Sequence, residues 1–336
     1  HELDASIRSK VARFCNVDLE DVIESLDAKS IYEVPLLMKK EGLDKRVIEK
    51  LQLKTSEYNL DNWIGFVEAV CDPSGAIEIA LVGKYVEHHD SYKSIVEAFI
   101  HGGAVNDCKV NIRWVQSDDL TKENVSKQLE GISGVLVAPG FGGRGIDGKL
   151  AAVEYARVNK IPFFGICLGM QCAVIEYAKN VCGWEGANSA EFEDDCEYPI
   201  IDIMHDQKDI ENMGGTMRLG KYACKIEKDS NSYNAYGEDL VFERHRHRYE
   251  VNNNLRYKLV EGGLSLVGMN PERDLVEIIE IPEHPWFVGV QFHPELKSTV
   301  NNPQPLFVDF VKASLKYAKS NELYSPLKKP KKKVTK

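Results

Sequence analysis

The 336-residue sequence lacks any uninterrupted apolar run near the roughly 20 residues that a membrane-spanning helix needs, and it has no secretory signal at its start. Positive charge is not in excess. Against 42 Lys and Arg stand 52 Asp and Glu, a formal net charge of −10, which argues against a nucleic-acid binder. None of the eight cysteines forms a C-x-x-C pair or clusters with histidine at metal-ligand spacing. No metal site is therefore expected; reduced thiols in a cytoplasmic compartment are. No phosphate loop ending in Gly-Lys-Ser/Thr and no dinucleotide glycine fingerprint occurs. The chain opens on His1 rather than Met, and the expectation is a processed or excised piece of something longer. With 43% hydrophobic and 28% charged residues, what is left reads as an ordinary globular protein, long enough for one large domain plus a smaller piece or for two medium domains.

The pattern changes along the chain. Residues 1–57 read as amphipathic helix, in "LDASIRSKVARFC", "LEDVIESLD" and "IYEVPLLMKKEGLDKRVIEKLQL". Residues 58–75 read as a linker with a helix over its second half and the turn signal "PSG". Over 76–320 strands alternate with helices: "AIEIALVGKY", then "SYKSIVEAFIHGGA" opened by Ser91, then "CKVNIRWVQ", "TKENVSKQLEG", "GVLVAPG", "GKLAAVEYARVNK" and "IPFFGI". The expected fold is α/β, a mostly parallel central sheet flanked by helices. Beyond residue 195 the short runs "KYACKIE", "RHRYEV", "VEIIEI" and "FVGVQFH" predict an antiparallel extension, followed by a helix near 305–318. Residues 321–336, ending in the lysine-rich "KKPKKKVTK", are expected to be a disordered basic tail.

One corner carries a candidate nucleophile. Gly165-Ile166-Cys167-Leu168-Gly169 joins the apolar strand "IPFFGI" to the helical "LGMQCAVIEYAKN". A strand that turns sharply into a helix around a nucleophile favours glycine two residues to either side, where side chains would collide. Cys167 then lies at a helix N-terminus, which favours a thiolate, and the Leu168 N–H faces a developing oxyanion. The glycines alone leave packing and chemistry both open, since free cysteine often fills a core.

A thiolate nucleophile needs a base and a group that orients it. His293 follows an apolar strand in "GVQFHPELKST", with Glu295 two residues on, where a strand-like backbone sends both side chains to one face. Alone, this segment reads as a surface His-Pro-Glu turn; paired with the elbow, it reads as base and orienter. In "GVLVAPGFGGRG" four glycines within residues 140–145 leave backbone N–H groups uncovered after a buried strand, and Gly140 is the candidate second oxyanion donor. The alternating "RHRHR" reads as a strand with one solvated side.

"GICLGMQ" together with "FHPE" resembles the class I, or triad, glutamine amidotransferases. "SIYEVPLL", "ALVGKYVE", "DSYKSIVEAFIHGG", "GANSAEF", "GGTMRLG", "ERHRHRYEVN" and "HPWFVGVQFHPE" narrow the resemblance to the CTP synthase family, over roughly residues 7–318. The resemblance implies a glutaminase that hydrolyses L-glutamine through a cysteinyl thioester. Cys167 is then the nucleophile, His293 the general base and then acid, and Glu295 its orienter. The amides of Gly140 and Leu168 form the oxyanion hole, and Gln171, Glu191 and Arg248 join Gly140 in holding glutamine. It implies further that residues 1–57 are the end of an amidoligase domain that would use the ammonia for ATP-dependent amination of UTP, a ligase step of pyrimidine biosynthesis. ATP, Mg2+ and the activator GTP belong to that full enzyme, a homotetramer, and no cofactor to this chain. Arg144 is the candidate GTP-linked residue.

Two departures stand out. Ala138-Pro139-Gly140 replaces the family's Pro-Gly-Gly, with Gly140 still in place, and "VEHHDSYKS" carries an unusual His88-His89 pair. The alternatives are a glutaminase subunit of another synthetase, a catalytically silent regulatory or filament-forming module, and a cysteine peptidase or γ-glutamyl hydrolase on the same fold.

Overall fold

A computed structural model describes residues 2–203 and 217–327. The first three residues of "GGTMRLG" and the lysine-rich tail from 328 lie outside the described residues. The chain divides into two compact units, one running to Pro73 and the other beginning at Ser74.

The first unit holds helices α1 (Ala5–Cys15), α2 (Val34–Lys40), α3 (Leu43–Lys50) and α4 (Asp61–Cys71). The Asp4 side chain caps α1 by accepting from the Ile7 N–H at 2.8 Å. "LEDVIESLD", expected to be helical, forms only a 3₁₀ turn at Leu19–Asp21. Asp21, together with Asp18 just before the segment, pairs instead with Arg46 and Lys50 of α3. The next helical stretch breaks at Gly42, which adopts φ +83°, a conformation that favours glycine. Tyr32 meets Phe66 edge-on at 4.9 Å and accepts a hydrogen bond at its carbonyl from the Trp63 indole.

Among the described residues the second unit is built on a ten-stranded sheet. Its strands are β1 (Gly75–Gly83), β2 (Cys108–Gln116), β3 (Gly134–Val137), β4 (Phe163–Ile166), β7 (Arg218–Ile226), β8 (Leu240–His247), β10 (Ser265–Asn270), β11 (Leu275–Glu280), β12 (Phe287–Val290) and β13 (Ser325–Pro326). β5 (Ala187–Ser189), β6 (Tyr198–Ile203) and β9 (Tyr249–Val251) form a small second sheet. The order is β13-β1-β3-β4-β12-β11-β10-β7-β8, with β2 paired to β1. β2, β1, β3, β4 and β12 run parallel, and β11, β10, β7 and β8 add the antiparallel extension.

Helices cover both faces: α5 (Lys93–Val105), α6 (Val125–Gln128), α7 (Ile146–Val158), α8 (Leu168–Asn180), α9 (Asn231–Tyr236), α10 (Arg256–Glu261) and α11 (Pro305–Ser320). Successive strand residues point to opposite faces. Val135, Val137 and Phe163 pack with residues of α7 and α8, whereas Leu136, Phe164 and Ile166 pack with Phe99 of α5 and Phe307 and Phe310 of α11. The fully buried phenylalanines each contribute about 1.5–3 kcal/mol relative to exposure.

Three sequence expectations need correction here. The helix expected over "TKENVSKQLEG" is one turn, because Asn124 bonds the Thr121 N–H and the Asp119 carbonyl and ties the segment into a local turn. α5 starts at Lys93 rather than Ser91, after a 3₁₀ turn at His89–Tyr92 fixed by the Tyr92 hydroxyl on the Lys84 N–H. Residues 321–327, assigned to the disordered tail, are ordered: Ser325–Pro326 pairs with Gly75–Ala76, and Tyr324 packs where Gly75 has no side chain.

Candidate active site

Three adjacent parallel strands end side by side, with Val137 of β3 beside Gly165 of β4, and Ile166 of β4 beside Val290 of β12. Ligands of parallel α/β sheets bind at these C-terminal ends. From β3 the chain runs into Ala138-Pro139-Gly140, from β4 into Cys167, and from β12 into Gln291-Phe292-His293.

Cys167 is a buried corner residue at φ 53°, ψ −105°, immediately before α8. Such a backbone costs a non-glycine residue about 1–3 kcal/mol. It is held by the Cys167 N–H, which donates to the Val290 carbonyl at 2.7 Å. A Cβ on Gly165 would lie 2.8 Å from the Gly169 backbone, and one on Gly169 would collide with the Val137 carbonyl oxygen. Both glycines are steric requirements of the corner.

The His293 N–H is anchored on the Arg244 carbonyl at 2.7 Å, and its Nδ1 meets Glu295 Oε1 at 2.8 Å. The pairing arises differently from the strand geometry expected. Glu295 lies in a 3₁₀ turn, Pro294–Lys297, that curls its carboxylate back under the ring. Burial works against a charged imidazole at His293. The charge and hydrogen bond of Cys167, with those of Glu295, outweigh it and push His293 up to about 10.

The glycine loop is held by its carbonyls. Lys84 Nζ donates to the carbonyls of Phe141, at 2.7 Å, and Gly142, and the fully buried Lys149 Nζ donates to that of Ala138 at 2.5 Å. Burial pulls Lys149 down to about 8. The Gly142 N–H donates to Glu191 Oε1 at 2.7 Å. A Cβ on Gly140 would touch the Leu168 side chain at 3.3 Å, so the two proposed oxyanion donors belong to neighbouring residues.

A narrow pocket of ≈ 40 Å³ is lined by Gly140, Cys167, Gln171, Glu191 and Arg248, together with Tyr249. A wider cavity of ≈ 410 Å³ also reaches Cys167 and is lined by His293 and Glu295. Arg144 lines neither; it pairs with Asp118 at 2.9 Å and donates to the Lys84 carbonyl. The His88-His89 pair lies apart too, with His89 stacked on Trp114.

Sequence reasoning missed Lys149, whose helix position looks like any solvated lysine, and Gln291, visible only as a polar residue closing an apolar strand. It also missed a buried network. In β8 the arginines 244 and 246 face solvent while His245 and His247 are buried, because a neutral imidazole tolerates burial without the counter-charge that a buried guanidinium needs. Burial pulls His247 down to about 3, so its Nδ1–H donates to the Tyr249 carbonyl at 3.2 Å while Nε2 meets His245 Nδ1 at 2.9 Å. Beneath them Arg218 pairs with Glu277 at 2.7 Å.

The family model described as glutamine amidotransferase class-I matches residues 87–313, which include Cys167, His293, Glu295 and the residues that line the narrow pocket. The chain belongs to the class-I glutamine amidotransferases. A second model, CTP synthase N-terminus, matches residues 1–53. Among solved structures the amidotransferase resembles the Trypanosoma brucei CTPS glutaminase domain with bound acivicin, at 40% identity and a TM-score of 0.67 over 71% of this chain and 94% of that one. It is 57% identical over 309 residues to the CTP synthase of Clostridium kluyveri, covering 92% of this chain and 58% of the relative. To that of Salinibacter ruber it is 51% identical over 340 residues, covering 99% of this chain and 60% of the relative. The chain thus spans well under two thirds of the length of these curated relatives. Among the described residues no helix is long and apolar enough to cross a membrane.

Proposed function

We propose that the chain is the glutaminase part of a CTP synthase, with Cys167, His293 and Glu295 as its triad. The observation that carries this reading is one pocket in which a corner cysteine faces both a carboxylate, Glu191, and a guanidinium, Arg248. These complement the α-ammonium and α-carboxylate of free glutamine, Arg248 as a bidentate donor. Gln171 and Gly140 complete the grip. The Cys167 proton passes to His293, and the sulfur attacks the side-chain amide carbon. The Gly140 and Leu168 N–H groups receive the oxyanion. As the intermediate collapses, His293 returns its proton to the departing nitrogen and ammonia leaves a thioester. Water, deprotonated by His293, then cleaves the thioester to glutamate and restores the thiol.

In this reading residues 1–57 close an amidoligase domain, 58–75 link it to the glutaminase of residues 76–320, and the full enzyme is a cytoplasmic homotetramer. ATP, Mg2+ and UTP belong to the part of the relatives that this chain does not span. The chain alone makes glutamate and ammonia. GTP activation would engage Arg144, at the far end of the glycine loop that carries Gly140. The test is a glutamine-shaped electrophile: it labels Cys167, Cys167→Ala abolishes labelling, and labelling at another cysteine overturns the assignment. Glutamine hydrolysis by this chain without GTP is expected to be weak, and strong GTP-independent turnover would contradict the proposed coupling.

A further inference from the structure

Gln291 follows directly on β12 and is wholly buried, between Val290 and Phe292. Its backbone N–H donates to the Glu277 carbonyl at 2.9 Å, which fixes its place. A buried primary amide costs about 1–3 kcal/mol unless its groups are partnered. Its partners fix which way it faces. The Tyr249 carbonyl can only accept, so Gln171, 2.8 Å away, must turn its NH2 group toward it. That same NH2 group lies 3.2 Å from the side-chain oxygen of Gln291. The oxygen of Gln291 is thereby committed, and its NH2 group is left facing Cys167 Sγ at 3.7 Å. One backbone carbonyl orients two amides in series and aims a donor at the reacting sulfur.

We infer that Gln291 is a further residue of the hydrolytic site, donating a hydrogen bond to the Cys167 sulfur when it carries negative charge, with Gln171 locking the amide in that orientation. The inference rests on the reading of Cys167 as nucleophile. Its consequence is that Gln171 has a second task besides holding glutamine. The donor favours the thiolate before attack and again when the thioester is cleaved and the sulfur leaves. His293 supplies the proton; Gln291 supplies none, and its amide is unchanged through the cycle.

Iodoacetamide tests this, because it alkylates a thiolate without resembling glutamine. In the full 336-residue chain its reaction at the Cys167 peptide is followed by mass spectrometry. Gln291→Met keeps the volume and removes the donor. It is expected to slow alkylation at least about threefold, since about half the weight of one hydrogen bond to a charged group is offset by the greater nucleophilicity of the less stabilised thiolate, and to lower kcat with KM for glutamine unchanged. Alkylation at the wild-type rate, or an effect confined to KM, overturns the inference. Gln171→Met leaves Gln291 in place but frees its amide, so alkylation slows by a smaller factor, and the double variant is no slower than Gln291→Met. Losses that multiply independently overturn the lock. Should Gln291→Met fail to fold, a wild-type alkylation rate in Gln171→Met is decisive against it. A wild-type chain that neither hydrolyses glutamine nor reacts with a glutamine-shaped electrophile defeats the proposed substrate, while the iodoacetamide comparison still reports on Gln291.

Discussion

Replacing Glu295 by Gln isolates what its charge does for His293. The Nδ1–Oε1 distance is 2.8 Å, and Gln keeps an oxygen of the same reach, so the geometry survives while the charge is lost. A hydrogen bond to a charged group contributes about 1.5–3 kcal/mol, against about 0.5–1.5 for a neutral one. The difference, about 1–1.5 kcal/mol where the imidazole is protonated, corresponds to roughly a tenfold fall in kcat. The pH profile is the sharper readout. His293 is raised from 6.5 to about 10, so between those values the folded chain holds a proton that the unfolded chain releases. Its contribution to stability is fully present below about pH 6.5 and is lost as pH rises through about 10. Cys167 raises His293 more than Glu295 does. In Glu295→Gln the alkaline limb therefore moves down but stays above the ordinary histidine value. Initial rates of glutamine hydrolysis and thermal melts from about pH 6 to 11 measure both effects. A variant with wild-type kcat and an unmoved alkaline limb refutes the reasoning.

Cys167→Ala and Cys167→Gly should both abolish activity, and because both lose the sulfur the glycine variant should melt higher than the alanine variant, by about 2–4 °C for each kcal/mol of backbone strain released; a glycine variant that melts no higher would show the corner to be unstrained. Gly169→Ala forces a methyl group into the Val137 carbonyl, and calorimetry should show a loss of at least about 1–3 kcal/mol together with failure of Cys167 labelling. Arg248→Met is expected to raise KM for glutamine at least about tenfold with little change in kcat, from loss of a charge-assisted contact. A fall in kcat alone would contradict its assignment to the α-carboxylate. His284 is buried, with Nε2 on the Ala156 carbonyl and Nδ1 accepting from the Trp286 N–H, and burial pulls it down to about 4. The unfolded chain takes up this proton first, so stability is lost as pH falls from about 6.5 toward 4, by up to about 1.4 kcal/mol per pH unit. Urea denaturation at about pH 7 and 5 should show His284→Gln with a smaller acid loss than wild type, and an identical loss would exclude this histidine as the cause.

The elbow was readable in sequence because its constraint is local: two glycines at fixed spacing, a strand before and a helix after. The alternation over residues 76–180 was readable for the same reason, since each element declares its own periodicity. What escaped depended on distance. Lys149 sits in an ordinary helical pattern, and nothing in that pattern says that the Ala138 carbonyl waits at the end of its side chain. Gln291 gains its meaning only when the Tyr249 carbonyl and Gln171 come beside it. Glu295 was rightly paired with His293 for the wrong local reason, because Pro294 opens a 3₁₀ turn where a continuing strand was expected. In the first unit the misread "LEDVIESLD" shows periodicity overridden by ion pairs to a helix more than twenty residues away. The ordered residues 321–327 were hidden because their partner, β1, lies some 250 positions earlier.

The placing of β12 between β4 and β11 has a consequence for how the protein is made. Cys167 and Gln291 are 124 positions apart, so at about 5–20 residues per second the ribosome delivers the corner thiol roughly 6–25 s before the strand that arms it. During that interval the cysteine has no base, no Gln291 and no Val290 carbonyl to hold its strained backbone. If Cys167 is the nucleophile proposed, it is unarmed in the nascent chain over that interval. In the proposed reading it becomes reactive only once β12 has closed the middle of the sheet, so the onset of chemistry waits on a late step of folding.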